Sequence, residues 1–454
     1  MPTVSRQSDA DPSEGAVGAS AEPGLVLERC FWRAVGARGA PTLVVIGGVH
    51  GNEPAGIHAA RRVLARLGLL GPGAMRGSLV ALAGDIAAIN HHDPDTRYID
   101  HDLNRLCRPE YFAEPPETSA EHAQMHELFG ALGVEHERAR TRGDRMIVVD
   151  LHTTSAPSRP FVTMEDSLPA RAVVRHLPLP RYLGMEEELG GLVFDAATQR
   201  FGCVSFLIEG GQHDDPVSVD MHEAAIWTLL RGLGMVERDA SRGAPLGGEP
   251  EAWLRRAAGP TASCAYDLRH REPITHPDFT IVDGIVTGAS ARAGRTRIAI
   301  QNGRTLVAPL DGEIFLPNMQ PYKRPGDDGY FIVRRVGAGW INLSARLRTK
   351  RTLHAIIERL PGVHAHDSGV LLVDADLAAV LKRQIFHLLG YRLVRHDDRI
   401  GASGAARLRR GLAAFARAIE RGPRRAPLDP DDPAFWVVRR RRLDLDAERG
   451  GPPA

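Results

Sequence analysis

The stretch Thr42–Gly56, Thr-Leu-Val-Val-Ile-Gly-Gly-Val-His-Gly-Asn-Glu-Pro-Ala-Gly, constrains the fold of this chain most strongly. The apolar run Leu43 to Ile46 reads as a buried strand, glycines at 47, 48 and 51 permit a sharp turn, and Pro54 suits the first turn of a helix. His50 and Glu53 stand in that turn, at a spacing that can bring both side chains to one side of a first helical turn. An imidazole and a carboxylate are two of the three protein ligands in a common catalytic zinc set, His2Glu, which keeps a fourth position for water. The third ligand must come from elsewhere in the chain.

Downstream, Ile57, Ala60, Val63, Leu64 and Leu67 mark one face of a helix over 55–67, and 78–83 is a second apolar strand. Asp95 to Arg105 (Asp-Thr-Arg-Tyr-Ile-Asp-His-Asp-Leu-Asn-Arg) has no strand or helix period and reads as a loop that carries a site. Helical pattern returns over 119–132. The strands 145–150 and 204–208 then end in Leu151-His152 and in Glu209-Gly-Gly, and Asp215-Pro216 starts a helix reaching about Leu233. Three apolar strands therefore end in His50/Glu53, His152 and Glu209. Open α/β sheets bind their ligands beyond the carboxyl ends of the strands.

At 454 residues the chain calls for two to four units at roughly 100–200 residues each. Composition shifts to Gly, Ala, Pro and Glu over 239–250, as in a linker. Over 262–345, short β-prone pieces (279–282, 296–300, 305–307, 313–316 and 330–333) alternate with Gly, Asn-Gly and Asp-Gly turns, the pattern of a small all-β module. Beyond it, 353–360, 369–373, 376–389, 391–395 and 405–419 read as helix, strand, helix, strand, helix. A net charge of +1 gives no global pull toward nucleic acid or anionic membranes, and no apolar run of about 18 residues predicts a membrane span. Cys30, Cys107, Cys203 and Cys264 are scattered without a C-x-x-C pair, so neither a disulfide framework nor a thiolate zinc site is expected, and a reducing cytoplasm is the default.

Gly48-Val-His-Gly-Asn-Glu-Pro54, Arg97-Tyr-Ile-Asp-His-Asp-Leu-Asn-Arg105, Asp150-Leu-His-Thr-Thr154 and Ile208-Glu-Gly-Gly211 resemble, in order and spacing, four sequence blocks of the succinylglutamate desuccinylase/aspartoacylase family. That family lies within the zinc carboxypeptidase-like superfamily. The resemblance covers about 42–215 and, more loosely, the β module to about 345. It implies a zinc carboxypeptidase-like mixed sheet with flanking helices, followed by a small all-β domain; it says nothing of the stretch beyond about 350, where the residue pattern itself predicts a C-terminal α/β appendage. The expected boundaries are a disordered tail over 1–24, a zinc hydrolase domain over 25–240, a β domain over 250–348, an appendage over 349–421 and a Pro/Arg-rich flexible tail over 422–454. It implies one Zn2+ per chain on His50, Glu53 and His152, with Glu209 as the catalytic carboxylate. Arg97 would face the reacting carbonyl, and Asn104 and Arg105 would hold a substrate carboxylate. Some members use a further arginine and a tyrosine, for which Arg200 and Tyr322 are the nearest candidates here. The implied activity is hydrolysis of the amide bond of an N-acyl amino acid by metal-activated water, in a cytoplasmic enzyme with no nucleic-acid or membrane partner and an open question of homo-oligomerisation.

Blander readings stand beside these. The alternatives to a deacylase are a carboxypeptidase-like peptidase, a deacylase of another small amide, and a non-catalytic metal-binding interaction protein. His50 and Glu53 alone fit a capped helix start, and Arg97 and Arg105 fit a surface network with Asp95, Asp100 and Asp102. His122 and His126 have helical ligand spacing, but alanine follows the first where H-E-x-x-H has glutamate, so a solvated helix face is expected. His91, His92 and His101 are expected at the rim of the site. Arg439 to Arg442, followed closely by Asp444, Asp446 and Glu448, reads as a solvated charge run.

Overall fold

The computed structural model describes residues 27–71, 73–241, 248–320, 323–360, 362–367, 369–374, 386–395 and 435–448. Tyr322, the expected tails over 1–24 and 422–434, most of the expected linker, and the expected helices over 376–385 and 405–419 lie outside the described residues. The chain forms two compact units, one of residues up to 165 and 170–335, the other of 166–169 and 336 onward.

The first unit contains β1 (Cys30–Val35), β2 (Ala37–Gly47), β3 (Arg76–Ala83), β4 (Met146–Thr154), β5 (Phe161–Met164), β6 (Arg181–Leu183), β7 (Val204–Gln212), β8 (Ala265–Pro273), β9 (Thr280–Ile281), β10 (Ser290–Ala291), β11 (Arg297–Gln301), β12 (Arg304–Val307), β13 (Gly312–Phe315) and β14 (Asp328–Val336). Eleven of these strands form one mixed sheet in the order β1-β3-β2-β4-β7-β5-β6-β8-β14-β13-β10, and β12-β11-β9 form a separate three-stranded sheet. β3, β2, β4 and β7 are mutually parallel, so their carboxyl ends share one edge. β5 runs antiparallel to β7 and β1 antiparallel to β3.

This sheet crosses the expected boundary near residue 250. β6 pairs in parallel with β8, from Arg181 opposite Ala265 to Leu183 opposite Asp267, and this ladder carries the sheet into β8 and on to β14, β13 and β10. The β module therefore shares a sheet with the preceding domain, because backbone hydrogen bonding at an open strand edge continues into the next available strand.

Helices supply the core on both sides of the parallel strands. Ala55–Leu70 buries Ile57, Val63, Leu64 and Leu67, each stabilising by about 1.5–3 kcal/mol when fully withdrawn from water. Ala120–Arg142 packs Met125, Leu128, Phe129 and Leu132 against Val44, Ile46 and Val148. That helix outlasts the apolar pattern, which stops at Leu132. Buried positions continue at helical spacing through Glu135 and Ala139, with a carboxylate in place of an apolar residue and Arg33 and Arg138 paired to it. Gly143, in the left-handed conformation at φ 73°, ends the helix.

In the second unit, β15 (Val363–Asp367), β16 (Val370–Asp374), β17 (Tyr391–Arg395) and β18 (Phe435–Arg440) form an antiparallel sheet in the order β15-β16-β18-β17, accompanied by helices Ala338–Arg348, Arg351–Ile357 and Arg442–Glu448. Residues 435–448 fall within the expected flexible tail but occupy an inner strand and a helix. The reason is the pair Val437 and Val438, buried beside Leu371, Leu372 and Val373. Arg440 and Arg441, expected in solvent, are buried. Among the described residues no helix is long and apolar enough to cross a membrane.

Candidate metal centre and active site

The turn after β2 brings its side chains to the carboxyl edge of the parallel strands. Gly51 makes this possible, because a Cβ there would stand 2.5 Å from the Ala88 and Thr96 carbonyl oxygens. Its N–H donates to the Arg97 carbonyl at 3.0 Å, which fastens the 95–105 loop to the turn. β4 and β7 run further than the sequence suggests, to Thr154 and Gln212, and place His152 directly opposite Glu209 in the parallel register.

His50, Glu53 and His152 are all buried, and one ligand atom from each lies within 4.8 Å of the others. Glu53 sits between the imidazoles, its Oε1 2.9 Å from His50 Nδ1 and its Oε2 3.0 Å from His152 Nδ1. Thr153 N–H also donates to Glu53 Oε2 at 3.0 Å. Burial alone would raise the Glu53 carboxyl, but the two imidazoles hold it well below the usual carboxylate range.

Each histidine turns its other nitrogen to a carboxylate. His50 Nε2 lies 3.1 Å from Asp102 Oδ1, and His152 Nε2 lies 2.9 Å from Asp150 Oδ2, the latter a close ion-pair contact without hydrogen-bond alignment. This arrangement orients a metal-ligating imidazole and fixes its tautomer. Two imidazole nitrogens and one carboxylate oxygen, buried, convergent and held from behind by carboxylates, fit zinc by donor type and number. Neither aspartate was singled out by sequence as a site residue. Asp150 carries a usable signal, since residues i and i+2 of a strand face the same side, so Asp-x-His placed it beside His152 in advance.

Arg97 reaches Glu53 Oε1 through Nη1 at 2.8 Å and Asp102 Oδ2 through Nη2 at 3.3 Å. Its Nη2 also lies 2.9 Å from His50 Nε2. Glu209 is nine-tenths buried, and its Oε2 has no hydrogen-bond partner among the described residues. Burial, with the charges of Glu53 and Asp150, pushes its carboxyl up to about 8 against the pull of His152 and Arg97. A divalent cation beside it favours the ionised form. Under the strand ends, His222 Nε2 donates to the His152 carbonyl at 2.9 Å, and burial lowers its pKa to about 4, so it serves as a neutral prop.

The 95–105 loop is held from the helix side. Glu121, fully buried, accepts from the N–H groups of Ile99 at 2.5 Å, Asp100 at 3.0 Å and His101 at 2.9 Å, while Asp100 Oδ2 accepts from Ala120 N–H at 3.0 Å. His122 is buried here and bonded to Ser119 Oγ at 2.8 Å, which replaces the expected solvated face. Asn104 is buried too, its Oδ1 accepting from Val193 N–H at 2.8 Å. Arg105 donates through Nη2 to Asp328 Oδ2 at 2.6 Å, at the start of β14.

Arg200 is not brought to the group. It precedes β7 at the amino end, and strands rise about 3.3 Å per residue, so Glu209 stands at the opposite end; its guanidinium lies 4.2 Å over the Phe112 ring. Among the described residues, His50, Glu53 and His152 are the one group of three or more His, Cys, Asp or Glu side chains placed to hold a metal.

Residues 39–232 match the model of the succinylglutamate desuccinylase/aspartoacylase catalytic domain. No curated protein sequence matches the chain. Solved structures with related chain courses include a succinylglutamate desuccinylase/aspartoacylase from Rhodobacter sphaeroides (21% identity, TM-score 0.48, covering 67% of this chain and 89% of that one). Two others are the succinylglutamate desuccinylase from Chromobacterium violaceum (20%, 0.46, 67% and 88%) and the product-bound ectoine utilization protein EutE (DoeB) from Ruegeria pomeroyi (15%, 0.47, 66% and 88%). The matched residues 39–232 enclose all four sequence blocks, so over that stretch the chain is similar to the succinylglutamate desuccinylase/aspartoacylase catalytic domain.

Proposed function

We propose that this protein is a zinc-dependent amidohydrolase that removes the acyl group from a small, carboxylate-bearing N-acyl amino acid in the cytoplasm. The observation that carries the proposal is the pairing of His152, in a buried three-donor set, with Glu209, whose free carboxyl oxygen stands at the same strand edge.

His50, Glu53 and His152 would hold the zinc, which when bound polarises a carbonyl and makes a water a competent nucleophile near neutral pH. Glu209 would take the proton of the attacking water and return it to the departing amine. Arg97 would donate to the oxygen that gains negative charge as the amide carbon becomes tetrahedral, a charge larger in the transition state than in the substrate. Arg105, with its planar fork, and the Asn104 amide group would hold the substrate carboxylate and orient the amide.

Zinc analysis of protein expressed with ample metal tests the donor set: about one zinc per chain is expected, and none would remove the metal from the proposal. Glu209→Gln separates binding from chemistry. It should keep its zinc and lose at least a hundredfold in kcat on N-acetyl, N-succinyl and N-formyl amino acids; undiminished turnover would take Glu209 out of the mechanism.

A further inference from the structure

The clamp arginine is already holding a carboxylate. Asp328 places Oδ2 2.6 Å from Arg105 Nη2 and Oδ1 2.5 Å from Arg271 Nε, so each carboxylate oxygen takes one guanidinium. Arg271 lies on β8 and Asp328 on β14, strands that neighbour each other in the large sheet, and Arg271 Nη2 also reaches the Gly326 carbonyl at 3.3 Å. The side chains of Arg105, Asp328 and Arg271 are 31%, 14% and 27% exposed, so this row is partly open to solvent and not sealed in the core. The nearby Asp102 carboxylate is bonded by His50, Arg97 and the Asn104 N–H, so its charge, although felt at Arg105, is met chiefly by Arg97.

We infer that Asp328 is a specificity-determining residue: with Arg105 and Arg271 it sets the clamp at one net positive charge and selects substrates whose amino-acid part carries a single carboxylate. The inference rests on the deacylase proposal above. Two guanidiniums alone would favour a dicarboxylate such as an N-acyl aspartate. Adding one fixed carboxylate leaves charge for one substrate carboxylate, and a second would meet Asp328 as a like charge in a partly desolvated site, where repulsion discriminates between ligands. Arg105 Nη1 also donates to the Asn104 carbonyl at 2.8 Å, and the N–H groups of Arg105 and Arg271 beyond these contacts can bind one carboxylate without breaking either contact to Asp328.

The zinc-loaded full-length protein provides the test, with alanine and aspartate derivatives carrying the same acyl group. The wild type should favour the alanine derivative. Asp328→Asn adds one net positive charge and should move the kcat/KM ratio toward the aspartate derivative by about tenfold, mainly through KM. Arg271→Gln removes one and should move it about tenfold the other way. A purely structural role would lower stability in both variants and shift both ratios alike or not at all, and either outcome overturns the inference. Should the wild type cleave no N-acyl amino acid, the same ratios are read as calorimetric affinities for the intact compounds. Opposite shifts there keep the inference while the deacylase proposal falls; no selectivity there overturns it too.

Discussion

Asp85 shows how one residue near the site sets a pH dependence. It is fully buried, its Oδ1 accepting from Ala88 N–H at 3.0 Å while Oδ2 has no hydrogen bond among the described residues. Burial, reinforced by Glu121, pushes its carboxyl from 3.8 up to about 6, against the Ala88 N–H and Arg29. Between those values the folded chain binds a proton that the unfolded chain has released, so this group's contribution to stability falls as pH rises through the window and is lost above about 6. Asp85→Asn keeps an accepting oxygen and removes the ionisation. Its stability relative to wild type should rise by about 2 kcal/mol between pH 4 and pH 7.5, read from denaturant midpoints; equal differences at both pH values would remove burial as the cause. Sequence identified His50, Glu53, His152 and Glu209 because each stands at a strand end or glycine turn. It was silent on Asp85, whose environment is made by residues distant in the chain.

At the scale of elements, the helix Ala120–Arg142 and the loop 95–105 clasp each other. Glu121 caps three loop N–H groups and Asp100 caps the helix, so the carboxylate of one element satisfies the backbone of the other. Glu121→Gln would face those donors with an NH2 group that cannot accept. The variant should lose on the order of 3 kcal/mol of stability and at least tenfold in kcat/KM, because Arg97, Asn104 and Arg105 lose their fixed positions. Zinc content should stay near one per chain, since the proposed ligands His50, Glu53 and His152 lie outside the loop; retained kcat/KM in a folded variant would dismiss the clasp as a positioning device. The helix itself was legible from its apolar period. The clasp was not, because a glutamate in a first helical turn ordinarily reads as a partner for the helix dipole.

At the scale of the whole molecule, each unit has its own apolar core. The second unit also buries an ion network: Arg348 donates to Asp166 Oδ2 at 2.6 Å, lies 3.3 Å from Asp444 Oδ2, and also bonds the Asp166 and His387 carbonyls. Asp444 Oδ1 in turn accepts from Leu168 N–H at 2.7 Å. Arg348→Met withdraws this guanidinium from two buried carboxylates and should cost about 3–5 kcal/mol, seen as a lower thermal midpoint, with Asp444→Asn in the same chain restoring part of it. An unchanged midpoint would show that the network contributes nothing net.

Sequence alone determined the strand, turn and helix succession and picked out His50, Glu53, His152 and Glu209 as candidates, because these depend on local period and on short spacings. Only the tertiary structure decided that the β module joins the main sheet, that Arg200, on the helix before β7, lies over Phe112, and that Asp328 pairs with Arg105. Each of these depends on which strand edges pair and which charges meet across hundreds of residues, and no local pattern encodes that.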